Sequence, residues 1–242
     1  MYLFFLILII ICGIFSASAS SKVHSAYKAY GAMPTRSYMT GYDTASRLLR
    51  VNGVRDISVG RVRGSLTDHY HPTKKIVNLS ESVYGDASIA SVAVAAHEVG
   101  HVMQNKKGYL PYKLRTWLVP ITNIGSYLAL PLVILGLILD LFVAATQNSD
   151  IGYYLAIVGV VLYGLSTVFA LVTLPVEFDA SRRAKQMLVQ EGILTQEELP
   201  YADKMLDAAA MTYVASLVTS LVYFLRFAVW VLMLFGGRGR RR

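Results

Sequence analysis

Four stretches of the chain are long and apolar enough to cross a lipid bilayer, whose hydrocarbon core of about 30 Å takes about 20 helical residues. They are residues 1–19, 117–145, 151–175 and 211–236. The whole chain is 55% hydrophobic and only 16% charged, whereas soluble domains carry roughly 25% charged residues. We therefore expect a mainly α-helical, multi-pass protein of the bacterial cell membrane, with four transmembrane helices.

Two polar pieces separate the apolar stretches. Residues 20–116 follow the first stretch, and residues 176–210 follow the third. Two crossings lie between these pieces, so both should face the same side of the membrane and could contribute to one site. A basic tail, residues 237–242, should lie on the opposite side.

Local patterns predict the elements of both polar pieces. Helices are expected over residues 40–50 and 87–105, with Asp86 as the N-cap of the second, and strands over 54–66 and 76–79. In the second piece, one helix should begin after Pro175 and end at Gly192, and another should open at Thr195 in a capping box. Residues 76–79 could be an edge strand that pairs with an extended substrate, or an ordinary buried strand.

The sequence His97-Glu98-Val99-Gly100-His101 has the pattern H-E-x-x-H on a predicted helix. Residues four apart share one helix face, so both imidazoles can bind one cation. Glu98 is rotated by about 100° from His97, so it can lie beside the metal without binding it. There it can take a proton from the water that attacks a carbonyl and pass it to the leaving amine. Zinc would lower the pKa of that water and polarise the carbonyl.

Zinc explains this pattern better than two surface histidines would. Residues 89–96 are nearly all small or apolar, which predicts a buried helix, and a buried His or Glu needs a partner. The one cysteine, Cys12, lies in an apolar stretch. The ligands of the Zn²⁺ ion must therefore be histidines and carboxylates.

A hydrolytic zinc site needs a third protein ligand and one open position. The candidates outside the apolar stretches are the histidines His24, His69 and His71 and carboxylates that include Glu177, Asp179, Glu191 and Asp203. Glu177 stands out because it opens a predicted helix directly after the third apolar stretch. The alternative is an ordinary acid at a helix N-terminus, where the helix dipole favours it.

Several segments together resemble a known family. They are residues 22–27, 66–70, 78–80, 95–101 and 174–183. On these the chain resembles the YugP-type zinc-dependent membrane metallopeptidases and, more distantly, is similar to HtpX-like and CAAX prenyl membrane proteases. In those proteases the zinc ligands are the two motif histidines and a Glu from a downstream E-x-x-x-D helix. The resemblance implies that Glu177 is the third ligand. Ser181 stands where the pattern has Asp, so Asp179 is the residue we expect to hold a ligand histidine.

The function expected from these features is that of a membrane-embedded zinc metallo-endopeptidase. Its small α+β, zincin-like catalytic domain should act on protein or peptide substrates near the membrane surface. An intramembrane, lipid-buried protease is a first alternative, although the apolar run before His97 is short for a span. A non-catalytic metal-binding scaffold is a second, which the presence of Glu98 disfavours. Membrane lipids are expected partners. The net charge of +8 is assigned to basic loops rather than to nucleic acid binding.

Charged residues in the remaining segments allow alternative interpretations. His69 and His71 could donate protons at the site or be solvated loop residues. Asp140 and Arg226 lie in apolar stretches and could pair with each other, or each could reach the far interface separately.

The membrane orientation and the fate of the first stretch each have two interpretations. The first stretch is expected to be an uncleaved anchor because no basic residue precedes its apolar core, with a signal peptide as the alternative. The basic tail favours its own side as cytoplasmic, whereas the basic residues at both ends of 20–116 favour the opposite orientation.

Overall fold

The computed structural model describes residues 2–142 and 151–235 of the chain. In chain order its elements are α1 (Tyr2–Gly31), α2 (Gly41–Val51), β1 (Ser58–Val62), β2 (His69–His71), β3 (Ile76–Ser80), α3 (Glu81–Tyr84), α4 (Ile89–Lys106), α5 (Leu110–Phe142), α6 (Ile151–Gln190) and α7 (Leu199–Phe235). The chain divides into two compact units. The first unit comprises Met1–Ser16, Leu114–Thr173 and Val214–Arg242, and the second comprises Ala17–Lys113 and Leu174–Tyr213.

Three of these helices, α1, α6 and α7, are long and apolar enough to cross a membrane. Helix α5 is a further candidate, because its segments Leu110–Gly125 and Tyr127–Leu139 are together long and apolar enough for one span. The two segments meet at a bend of 40°. Pro131 lies inside this helix, and a proline removes the hydrogen bond to the carbonyl four residues earlier. That carbonyl belongs to Tyr127, the first residue of the second segment. The expectation of a mainly helical chain with membrane spans and a small sheet is confirmed.

Small residues bring α5 and α6 close together in the first unit. A Cβ atom added to Gly136 would lie 2.5 Å from the carbonyl oxygen of Gly152. A Cβ atom added to Gly159 would lie 2.7 Å from the carbonyl oxygen of Ala129. Such close backbone approach is how membrane helices associate, since lipid removes the hydrophobic advantage of burying large apolar side chains.

The second unit contains a three-stranded sheet in the order β1-β3-β2. Strand β3 pairs with β1 in parallel and with β2 antiparallel. Of the two alternatives for residues 76–79, the edge strand is excluded and the ordinary buried strand is the one observed, because β3 has a hydrogen-bonded neighbour on each side. Val77 and Leu79 of β3 are fully buried, as a central strand with one face on the core requires.

Helix α4 is at the centre of the second unit's core. Its Ala and Val residues are buried almost without exception, and they pack with residues of α2, β3 and α6. The N-cap is Ser88 rather than the predicted Asp86, because the Ser88 hydroxyl accepts the N–H of Ser91 at 3.2 Å. Gly108, with φ of +65°, follows the C-terminus of the helix, where a left-handed conformation suits glycine.

Three predicted boundaries differ from the structure. Strand β1 covers Ser58–Val62 rather than 54–66. Pro175 lies inside α6 and begins no new helix, in line with the tolerance of long apolar helices for proline. The residues directly after Thr195 form a turn, and α7 begins at Leu199 and continues to Phe235, so the second helix is not short. The side chain of Asp140 and the basic tail 237–242 are outside the described residues, and so are the pairing and the membrane contacts expected of them.

Candidate metal centre

Helix α4 presents the H-E-x-x-H pattern in a nearly closed environment. The side chains of His97 and His101 are 14% and 10% exposed, respectively. Their rings stand edge to face with centroids 4.8 Å apart, because residues four apart lie on one face of the helix. Glu98 is also buried, on an adjacent face of the helix. The expected placement of the three residues on one helix is thus what the structure shows.

Helix α6 faces α4 through residues that follow helical spacing. Glu177, Ala180, Ser181 and Ala184 recur at i, i+3, i+4 and i+7 and are all buried, so they form one face of the helix. Small Ala180 and Ala184 let the two helices approach closely. The side chain of Glu177 is only 2% exposed, and a carboxylate at that depth requires partners.

The ligand atoms of His97, His101 and Glu177 converge on one point. All three lie within 4.8 Å of one another. The Oε2 atom of Glu177 is 3.2 Å from Nε2 of His97 and 3.6 Å from Nε2 of His101. Tetrahedral zinc with ligand bonds of about 2.0–2.2 Å separates neighbouring ligand atoms by about 3.3–3.6 Å. Two imidazoles and a carboxylate at this spacing therefore fit a zinc ion.

The other ring nitrogens of both histidines are occupied by hydrogen bonds. Nδ1 of His97 is 3.1 Å from the hydroxyl of Ser181. Nδ1 of His101 is 2.9 Å from the side-chain oxygen of Gln104. Histidines that bind metal nearly always engage the second nitrogen in this way, which orients the ring. The Nε2 atoms are the ones directed at Glu177.

Glu98 lies next to the ligands in an apolar setting. Burial raises the pKa of its carboxyl group to about 7; nearby His97 opposes this shift, and the carboxylates of Glu177 and Asp68 add to it. The main-chain N–H of Tyr70, in strand β2, donates a hydrogen bond to the carboxyl group. Glu98 is therefore held in place by β2 without being among the three converging ligands.

A cavity of about 130 Å³ opens onto the site. Its polar lining includes His97, Glu98, Glu177 and Asp68, and the rest of the wall is largely apolar. Asp68 is fixed by the main-chain N–H of Ser80 at 2.7 Å. A small polar group such as an amide could reach the converging ligands from this cavity.

The other candidate ligands from the sequence make their hydrogen bonds and ion pairs with residues outside the metal centre. His24 bonds to the carbonyl of Ser20, His69 to Thr67 and Asn78, and His71 to the N–H of Lys74, while Glu191 pairs with Arg47 and Asp203 with Lys185. Asp179 reaches His101 only through Gln104.

Sequence reasoning missed Gln104 and the contact made by Ser181. Ser181 occupies the position of the expected Asp, four residues after Glu177, and its hydroxyl contacts His97 in place of a carboxylate. Gln104 gave one signal in the sequence, a carboxamide three residues after a motif histidine and next to apolar Val102 and Met103.

Gly100→Ala is expected to weaken zinc binding and lower the thermal stability. A Cβ atom at Gly100 would lie 2.6 Å from the carbonyl oxygen of Ala180, so α6 must shift and carry Glu177 with it. Overpacking of this kind costs about 1–3 kcal/mol. Chelator competition and thermal unfolding would measure both effects. Gly85→Ala is the control, because a Cβ atom there meets nothing within 4 Å. Equal zinc affinity in both variants would contradict the expectation.

Two comparisons with known proteins found related sequences. The model of a family described as "Putative neutral zinc metallopeptidase" matches residues 4–232. A protein of Bacillus subtilis (strain 168), "Putative membrane protease YugP", is 43% identical over 211 residues, which cover 87% of this chain and 89% of that protein. No solved structure matches the chain.

These findings confirm the resemblance to the YugP-type family and the assignment of zinc as the cofactor. With the three long apolar helices, they also identify a multi-pass membrane protein. The match covers nearly the whole length of the chain rather than the motif alone. The chain therefore belongs to this family of zinc metallopeptidases.

Proposed function

We propose that the chain is a membrane-embedded zinc metallo-endopeptidase, in which His97, His101 and Glu177 hold the metal and Glu98 is the general base. The convergence of the three ligand atoms within 4.8 Å, with a buried carboxyl group next to them, carries this proposal. Family membership supports it, since the family and its relative are described as peptidases. The substrates would be proteins or peptides.

Each residue has a distinct part in the proposed hydrolysis. Zinc, when bound, supplies Lewis-acid polarisation of the substrate carbonyl and a lowered pKa of the attacking water. Glu98, held by the N–H of Tyr70, accepts the proton of that water and returns it to the leaving amine. A purely structural metal site would have no use for such a group, which disfavours a metal-binding scaffold.

We place four transmembrane helices at α1, α5, α6 and α7. Helix α4 and the end of α6 contribute to one site, so the chain must cross the membrane an even number of times between them. The apolar part of α6, residues 151–173, supplies one crossing, and the bent helix α5 would supply the other. This count supports treating α5 as a fourth span.

The chemistry is proposed to take place near the membrane surface. The first unit's part of α6 ends at Thr173. Glu177 lies four residues further along the same helix, which is about 6 Å. Helix α4 runs from Ile89 to Lys106 and carries the polar motif residues in its middle, so its apolar run is too short for a span. Substrates held in or near the membrane would meet such a site.

Removal and return of zinc tests the proposed function. We expect protein purified in detergent to contain about one zinc per chain and to cleave an unfolded substrate such as casein. A strong chelator should abolish cleavage, because it removes both the polarising ion and the positioned water. Added zinc should restore cleavage. Undiminished cleavage by fully zinc-depleted protein would refute the proposal.

A further inference from the structure

Gln104 is a fully buried carboxamide on α4, three residues after His101. Its side chain makes three hydrogen bonds. Oε1 is 2.9 Å from Nδ1 of His101, and Nε2 donates to the carbonyl of Val176 at 2.7 Å and to Oδ2 of Asp179 at 3.0 Å. Burying an amide without partners is costly, whereas here both ends of the group are satisfied.

Two of these partners determine which way the amide points. The main-chain carbonyl of Val176 can only accept a hydrogen bond, and an ionised carboxylate such as Asp179 also only accepts. Asp179 is paired with both Arg182 and Arg183, which stabilises its charged form. The NH₂ group of Gln104 must therefore face Val176 and Asp179, and its oxygen must face His101.

The orientation of Gln104 determines the protonation of His101. An amide oxygen only accepts, so Nδ1 of His101 must carry the ring proton. In a neutral imidazole the lone pair is then on Nε2, the atom 3.6 Å from Oε2 of Glu177. That lone pair is the one a metal at the converging ligands would need.

We infer that Gln104 is a positioning residue that fixes the tautomer and the ring orientation of His101, and that Asp179 and the carbonyl of Val176 orient Gln104. This inference rests on the metal site of the proposed function. The network extends to Arg183, whose guanidinium group lies 5.9 Å from the ring centroid of Tyr109. It ties the end of α4 to the same turn of α6 that carries Glu177.

Two variants separate this role from that of a structural link between helices. Gln104→Met keeps a long unbranched side chain but offers His101 no amide oxygen, and we expect its zinc affinity to fall by about 10–100-fold. The second variant, Asn105→Met, removes a carboxamide of the same helix that contacts none of the three converging ligands.

The measurements are zinc affinity by chelator competition and the visible absorption spectrum of cobalt-substituted protein, which reports ligand geometry. Asn105→Met is the matched control, because this substitution also removes a carboxamide from α4. The amide of Asn105 donates to the Tyr70 hydroxyl rather than contacting a ligand. This variant should leave both readouts unchanged. A Gln104→Met protein with wild-type zinc affinity and cobalt spectrum would overturn the inference.

The wild-type protein provides a test that needs no variant to fold. With ¹⁵N-labelled histidine and zinc bound, NMR distinguishes a ring proton on Nδ1 from one on Nε2. We expect His101 to carry its proton on Nδ1, and a proton on Nε2 would overturn the inference. If wild-type protein binds no zinc, the proposed function fails; if it binds zinc through the other tautomer, only the role of Gln104 fails.

Discussion

Replacing Glu98 with glutamine is expected to lower the rate of peptide hydrolysis by about 10²–10⁴-fold, the usual contribution of a general acid–base group. Zinc binding should persist, because Glu98 is not among the three converging ligands. Glutamine has nearly the same volume, and its amide oxygen can still accept the N–H of Tyr70 that holds Glu98. It cannot take up the proton of the attacking water. The variant should therefore keep the fold and the metal and lose the proton transfer.

The measurement compares casein cleavage, zinc content and thermal unfolding of wild-type and variant protein in the same detergent. Glu81→Gln makes the same chemical change on α3, where the carboxylate is half exposed and pairs with Arg61. This control should keep full activity. A Glu98→Gln protein that cleaves as fast as wild type with zinc bound would exclude Glu98 as the base and leave the metal site standing.

The features of this chain that were predictable from sequence are those set by local periodicity. A long apolar run must be a helix in lipid, because every main-chain polar group needs an internal partner there. The spacing of His97 and His101 needs only the geometry of one helix. The pairing of residues 76–79 was not predictable in this way, because which strand lies at an edge depends on partners distant in sequence.

The contacts between helices had weaker local signals. The expectation that Asp179 would hold a ligand histidine used only the position of Asp179 around α6. It did not include Gln104, the residue of α4 that Asp179 contacts. In the structure Gln104 stands between Asp179 and His101, and Ser181 contacts His97. The face of α6 that meets α4 is set by where Gly100 and Ala180 allow close approach, which is a tertiary property.

Replacing Glu177 with alanine is expected to reduce zinc affinity by more than the roughly 10–100-fold typical of a partner outside the ligand set, and to abolish hydrolysis with it. Alanine leaves two histidine ligands and an empty volume where a carboxylate with 2% exposure was buried. Two neutral imidazoles supply no negative charge to balance the cation, and water must fill two positions rather than one. Zinc content after dialysis and chelator competition would measure the loss.

Glu191→Ala is the matched control, since Glu191 follows α6 and was also a candidate ligand in the sequence. Its carboxylate pairs with Arg47 at 3.6 Å, so this variant should keep its zinc and its activity. A Glu177→Ala protein with full zinc occupancy would remove Glu177 from the ligand set, and the same loss in both variants would indicate general destabilisation. Loss confined to Glu177→Ala would instead mean that α6 completes a site which the two histidines of α4 cannot form alone.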